Sequence, residues 1–211
     1  MRASEIRALA QRAQIGPGVS VLDLCCGVGG PGRFITRELG CSYLGLDADP
    51  ASIAVARERA GDLPCGFEVA RIPPIPRGPF DVILLLETML AFPDKAQLLR
   101  AVSASLAPGG RFAFTLEEGA PLTAAERERM PGADTVWLTP LDELVALLEH
   151  AGLEVAWQED HSGAHRATAH ALAGVYAAQG QPDDLVTAHR LWVEWLDAGR
   201  VRKVALVARR R

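Results

Sequence analysis

Several features are scarce in this chain of 211 residues. No apolar run approaches the roughly 20 residues needed to span a bilayer, so no membrane partner is expected. The opening MRASEIRALAQRAQ has the pattern of an amphipathic polar helix without the apolar core of a secretory signal, which points to a cytoplasmic location. Net charge is −4 with no long basic stripe, which argues against nucleic acid as the principal partner. The final Arg209, Arg210 and Arg211 read as a solvated tail. Cys25, Cys26, Cys41 and Cys65 lack metal-ligand spacing, and adjacent cysteines rarely bridge each other, so all four read as reduced thiols. Internal repeats, low-complexity tracts and interdomain linkers are also missing. With 49% hydrophobic residues there is enough apolar side chain for one full core, and residues 1–211 read as a single domain.

What is present alternates between two periods. Residues 2–14 place Ile6, Leu9, Ala10 and Ala13 at helical spacing, and Val19–Leu24 is an apolar run suited to a strand buried on both faces. A helix is expected from about Gly32 to Leu39, a strand over Ser42–Leu46, a helix over Pro50–Ala60 capped by Asp49, and a strand over Gly66–Ala70. Prolines 73, 74, 76 and 79 enforce an extended loop before the very apolar Asp81–Leu86. Helix Asp94–Leu106, strand Arg111–Leu116, a mobile excursion over 117–135 with one short helix inside, helix Leu141–Ala151 and strand Leu153–Gln158 follow. A helical pair, about Ala164–Gln179 and Asp183–Asp197, precedes the last strand, Val201–Ala208. This alternation predicts an α/β fold with a doubly wound, mostly parallel sheet.

The stretch from Val19 to Asp47, VSVLDLCCGVGGPGRFITRELGCSYLGLD, is a strand, a glycine turn, a helix, a second strand and an acid. That layout builds a nucleoside-binding corner. Gly27-x-Gly29-x-x-Gly32 also satisfies the dinucleotide pattern, so the glycines alone do not choose the ligand. Asp23 does discriminate. A carboxylate just before the loop repels a pyrophosphate and favours a cationic ligand, and S-adenosylmethionine (SAM) carries an ammonium and a sulfonium but no phosphate.

In order, VLDLCCGVGG, YLGLDADP, FDVILLLETMLAFPD, LAPGGRFAFT, AGLEVAWQED and GRVRKVALVAR resemble the successive motifs of class I SAM-dependent methyltransferases. The resemblance covers nearly the whole chain. It implies a Rossmann-like methyltransferase fold, a seven-stranded sheet whose last strand is antiparallel, with SAM as cofactor and S-adenosylhomocysteine (SAH) as product. It also implies that Gly27 and Gly29 line the methionine part of SAM, Asp23 lies near its amino group, Asp47 binds the ribose, Ala48 and Ile72 touch adenine, and Leu86 and Glu87 approach the transferred methyl. Two positions depart from the family. Cys25 stands where a glycine is usual, and Arg71 stands where many relatives place an acid on the adenine amino group. The segment Gly29–Arg33, GGPGR, resembles the variant found in methyltransferases acting on small amines and some natural products.

Methyl transfer from a sulfonium is an in-line displacement in which alignment and exclusion of water dominate; a base is needed only when the nucleophile arrives protonated. Glu87 is the leading candidate, with helix capping as its alternative. Glu117 and Glu118 end the fifth strand, where exposed loop carboxylates are the commoner outcome. His161 and His165 flank the end of the sixth strand with a pKa suited to proton removal. No metal site is expected, because Gly163 separates these histidines and no third ligand is evident. Trp192 and Trp195 share one helical face and read as core, whereas Trp137 reads as core or substrate wall; Met89, Leu90 and Phe92 likewise read as pocket lining or core.

Residues 1–15, 117–137 and 161–198 are expected to close over the crevice as lid or substrate-side elements, with a homodimer surface as the competing use. The expected function is transfer of a methyl group from SAM to oxygen or nitrogen of a small organic molecule. The rivals are a SAM-binding regulatory or scaffold protein without turnover, and a nicotinamide dehydrogenase.

Overall fold

A computed structural model describes residues 1–211. In chain order its elements are α1 (Ala3–Arg12), β1 (Ser20–Leu24), α2 (Gly30–Leu39), β2 (Ser42–Asp47), α3 (Pro50–Ala60), β3 (Cys65–Val69), β4 (Phe80–Leu85), α4 (Lys95–Ser105) and β5 (Leu106–Glu118). They continue with α5 (Ala124–Arg129), α6 (Leu141–His150), β6 (Leu153–Asp160), α7 (Ser162–Ala178), α8 (Asp183–Asp197) and β7 (Arg202–Arg210). The seven strands run in the order β3-β2-β1-β4-β5-β7-β6. β1 pairs in parallel with β2 and β4, whereas β7 is antiparallel to both β5 and β6. The doubly wound sheet with an antiparallel last strand is therefore present.

Period-two alternation sorts the strand side chains into two layers. Val21, Val82, Leu84, Ala113 and Val207 face α1, α2 and α3, meeting Leu9, Ile35 and Ile53. Leu22, Ile83, Leu85, Phe112 and Leu206 face α4 and α6, meeting Leu98, Val102, Leu144 and Leu148. The sheet is covered on both sides, as its near-continuous apolar strands require. A third cluster joins Leu122, Met130, Val136 and Leu138 to Leu191 and Trp195 of α8.

Asp49 caps α3 as expected, its carboxylate accepting from the backbone N–H groups of Ala51 and Ser52 at 3.1 and 3.0 Å. One expectation needs correcting. Pairing with β7 carries β5 through Glu117 and Glu118, so these residues lie in a strand instead of an exposed loop, and Glu117 is buried. The segment beyond them is tied down at two points. Arg200 donates to both carboxylate oxygens of Glu126 at 2.6 and 3.0 Å, holding that carboxyl down at about 2. Buried Lys95 donates to the carbonyls of Phe92 and Trp137 at 3.0 and 2.7 Å.

The strand order reverses between β1 and β4, and the crevice of such sheets opens at that switch, beyond the carboxyl ends of the strands. Asp23 to Cys26 and Leu86 to Glu87 stand at those two ends.

Candidate active site

The glycine corner is built by close packing. A Cβ on Gly32 would lie 2.1 Å from Cζ of Tyr43, so only glycine lets α2 settle onto β2 there. Tyr43 in turn donates its hydroxyl to Oδ2 of Asp23 at 2.6 Å, inside the protein. Asp23 is buried, and burial raises its pKa to about 7; the Tyr43 hydrogen bond opposes that rise and the nearby Asp47 adds to it. Arg33 donates to the carbonyl of Val28 at 2.6 Å, which gives the arginine of GGPGR a loop-holding role.

Cys25 adopts φ +59, the left-handed region that favours glycine, at the position where the sequence departs from the family glycine. Asp47 holds the loop from the other side: Oδ2 accepts from the Gly27 N–H at 2.8 Å, and Oδ1 from the Asp49 N–H at 2.9 Å. Asp23, Cys25, Cys26, Gly30, Pro31, Phe34 and Leu86 line a cavity of about 420 Å³, roofed by Met1, Ala3 and Ile6 of the α1 end. Cys25 also lines a neighbouring cavity of about 310 Å³ with Ile72 and Phe92. Gly29 packs against Phe67, and Ala48 is exposed in the bend after Asp47. Arg71 is exposed.

Glu87 closes the first cavity and opens another. It too has a positive φ, +63, and its N–H donates to the Thr115 hydroxyl at 2.8 Å. Beyond it lies a pocket of about 260 Å³ whose walls include Glu87, Glu117, His161, His165 and Lys203. Met1 and Glu87 are common to both cavities. Lys203, fully buried, hydrogen-bonds Glu117 and lies 3.1 Å from Oε2 of Glu87. His165 faces the same two carboxylates, with Nδ1 at 3.9 Å from Glu87 and Nε2 at 3.8 Å from Glu117.

These groups set one another's protonation. Burial pushes Glu87 up, but Lys203 and the other cations outweigh it, so its pKa falls below the usual carboxylate range. Burial and then Lys203 push His165 down, and the two carboxylates only partly compensate. Lys203 is held above its usual value despite burial, by Glu117 and then Glu87. At neutral pH the cluster thus contains the Lys203 ammonium, an ionised Glu87 and an uncharged His165. Donor atoms of Glu87, Glu117 and His165 lie within 4.8 Å of one another, close enough for a shared cation. The Lys203 ammonium already bonds both carboxylates.

Residues 2–158 match the family described as a methyltransferase domain. The chain belongs to the class I SAM-dependent methyltransferases. It is 30% identical over 177 residues to the methyltransferase GfsG of Streptomyces halstedii, a match covering 78% of this chain and 63% of that protein. It is 33% identical over 165 residues to the 27-O-demethylrifamycin SV methyltransferase of Amycolatopsis mediterranei, covering 73% and 61%. The chain thus spans about three-fifths of the length of these relatives. In fold it is similar to the Haemonchus contortus phosphoethanolamine N-methyltransferase 2 in complex with S-adenosyl-L-methionine, with TM-score 0.85, 18% identity, 98% of this chain and 52% of that one. It is also similar to the cyclopropane synthase MmaA2 of Mycobacterium tuberculosis, with TM-score 0.82, 15% identity, 98% and 83%.

In this methyltransferase chain the expected site residues fall into two groups. Asp23, Cys25 and Leu86 share one cavity, Cys25 and Ile72 another, and Gly27 and Asp47 are bonded to each other. Glu87 and His165 meet in the inner pocket. His161 lines that pocket but is turned toward Glu5 and Glu159, at 3.7 and 3.4 Å. Trp195 is core, packed edge-to-face on Trp192, which reaches the inner pocket. Trp137 lies outside these cavities, covered by Arg127 at 5.1 Å from its ring. Lys203 was not expected at all. Its signal was a cation on an inward position of an apolar strand, where an unpaired charge does not stay.

Proposed function

We propose that this chain is an enzyme that binds SAM beside Asp23 and moves its methyl group to oxygen or nitrogen of a small organic molecule in the inner pocket. The observation that carries the reading is the shared wall. Glu87 belongs both to the cavity of the glycine corner and to the polar pocket of Glu117, His165 and Lys203, so two ligands seated there would meet at one side chain. The donor set fits SAM. Asp23 is buried with only a phenol as partner, an acid that a ligand ammonium complements and a pyrophosphate opposes.

When bound, SAM supplies an electrophilic methyl group on a sulfonium. Asp47 would exchange its Gly27 partner for the ribose hydroxyls, with the backbone of Gly27 and Gly29 beside the methionine part. Ala48, Ile72 and Phe92 would border adenine, and Leu86 would pack on the methionine chain. On the acceptor side His165, uncharged at neutral pH, takes a proton from the nucleophile. Glu87 and Glu117 stabilise the imidazolium so formed, and Lys203 keeps those two carboxylates in place. His161 holds Glu5 of α1 to the end of β6, and α1 excludes water from both cavities. A pocket of about 260 Å³ suits a small organic acceptor and not a folded macromolecule.

The test is incubation of the protein with SAM and a panel of small alcohols, phenols and amines, with SAH formation as readout. Turnover on at least one acceptor is expected. Tight SAM binding with no turnover on any would instead support a regulatory SAM binder, and NADH binding without a SAM response would overturn the cofactor assignment.

A further inference from the structure

The inner pocket gathers three carboxyl groups around one buried ammonium. Its walls hold the carboxylates Glu5, Glu87 and Glu117, against the ammonium of Lys203 and the α-amino group of Met1. His165 adds no fixed positive charge, being held down by burial and by Lys203, while His161 is turned toward Glu5 and Glu159 at 3.7 and 3.4 Å. Lys203 engages only one oxygen of Glu117. The other, Oε2, is buried and has no hydrogen-bond partner, although Glu117 as a whole is only 3% exposed. A buried carboxylate oxygen without a donor is a costly arrangement that a donor-bearing, positively charged ligand would relieve. The remaining lining is mostly apolar or aromatic, with Leu90, Ala169, Leu172 and Trp192 beside Thr168 and His189.

We propose, resting on the methyltransferase reading above, that the methyl acceptor is a small primary or secondary amine with an apolar body, held as its ammonium by Glu117 and Glu87. A carboxylate, phosphate or phenolate would be repelled by Glu87 and its neighbours, and a neutral alcohol would leave the bare Glu117 oxygen without a charged donor. Trp192 and the leucines cover the body of the ligand, and the ring face also favours a cation. The ammonium nitrogen loses one proton to the neutral imidazole of His165. Its freed lone pair forms the new N–C bond to the methyl carbon, and the C–S bond breaks with its electron pair left on sulfur, which becomes the thioether of SAH. His165 then returns the proton to water, so each turnover releases one proton. Glu117 is the ligand anchor; Lys203, which touches only the carboxylates, is a positioning residue.

Binding of benzylamine, benzyl alcohol and benzoate to SAH-saturated protein, measured by calorimetry, tests this without requiring turnover. The three probes share one ring and differ in charge. Benzylamine is expected to bind at least tenfold more tightly than benzyl alcohol, with benzoate weakest. Glu117→Gln should erase most of that preference while SAH affinity stays within twofold. Should that variant fold poorly, Glu87→Gln, at the more exposed carboxylate, is expected to narrow the same preference several-fold. Equal or tighter binding of the alcohol or the benzoate by the unaltered protein overturns the amine assignment and leaves the methyltransferase reading standing. SAH binding with no uptake of benzylamine or of its N-methyl derivative does the same. Failure of SAH itself to bind overturns both.

Discussion

Asp23 and Glu87 line one cavity from the ends of neighbouring strands, yet their environments move them in opposite directions. Burial raises Asp23 to about 7, and its nearest partner is a neutral phenol. Burial also acts on Glu87, but Lys203 reverses the result and holds it below the ordinary carboxylate range. The proposed cofactor side has no lysine or arginine in its lining and can receive a cation from its ligand. The acceptor side carries its own lysine, which fixes two carboxylates whether or not a ligand is present. The contrast separates a site completed by what binds from one largely assembled by folding.

The largest expected effect comes from removing the internal cation. Lys203→Met leaves Glu87 and Glu117 facing each other without countercharge, and breaking a buried pair in this way costs about 3–5 kcal/mol. Chemical denaturation should show that loss; stability unchanged within about 1 kcal/mol would mean that the lysine does not hold the carboxylates. Asp47→Ala acts on the other side. Loss of charged hydrogen bonds worth about 1.5–3 kcal/mol predicts SAM binding weakened roughly 10- to 100-fold, read by calorimetry. Unaltered affinity would remove Asp47 from the ribose site.

A smaller effect is expected from pH. SAM binding favours ionised Asp23, so below about 7 a proton must be expelled before the ligand cation is matched. Affinity should fall roughly tenfold between about pH 8 and pH 6, and Asp23→Asn should flatten the profile. Without ligand the sign reverses. The folded-state pKa lies above the unfolded value, so Asp23 contributes stability at low pH that is lost as pH rises through about 7. A SAM affinity that rises on acidification would contradict the role given to Asp23. The smallest change is Cys25→Gly. Relief of a left-handed φ, about 1–2 kcal/mol, is offset by glycine's entropic cost of about 0.5–1 kcal/mol. A net gain below about 1 kcal/mol is expected in thermal or chemical unfolding. A clear loss would show that the Cys25 side chain packs usefully between the two cavities.

Local chemistry made the cofactor half readable in advance. Asp49 announces its helix because a short acceptor before proline satisfies open N–H groups, and the bounds of α3 and α8 agree with the pattern. Asp47, Gly27 and Asp23 lie in one short stretch, so their proximity needs no knowledge of the tertiary fold. The acceptor half is different. Glu117 and Lys203 are direct partners in the β5–β7 register, 86 positions apart in the chain. Neither residue explains itself alone: Glu117 resembles a loop acid, and Lys203 interrupts an apolar run. Only the antiparallel register brings them together, and the same pairing lengthens β5 by the residues that looked like loop. His165 was visible as a candidate, but its meeting with Glu87 and Glu117 depends on how α7 packs on β7.

The position of β7 between β5 and β6 has a consequence for synthesis. The ribosome makes the glycine corner, Asp23 to Asp47, well before Lys203 of β7. Until that strand slides into its slot, β5 and β6 have no partner between them and Glu117 has no cation. A nascent chain stalled before Arg202 would therefore present a cofactor corner beside an open sheet edge. The pocket of Glu87, Glu117, His165 and Lys203 is assembled after the glycine corner, by the same event that seals the sheet.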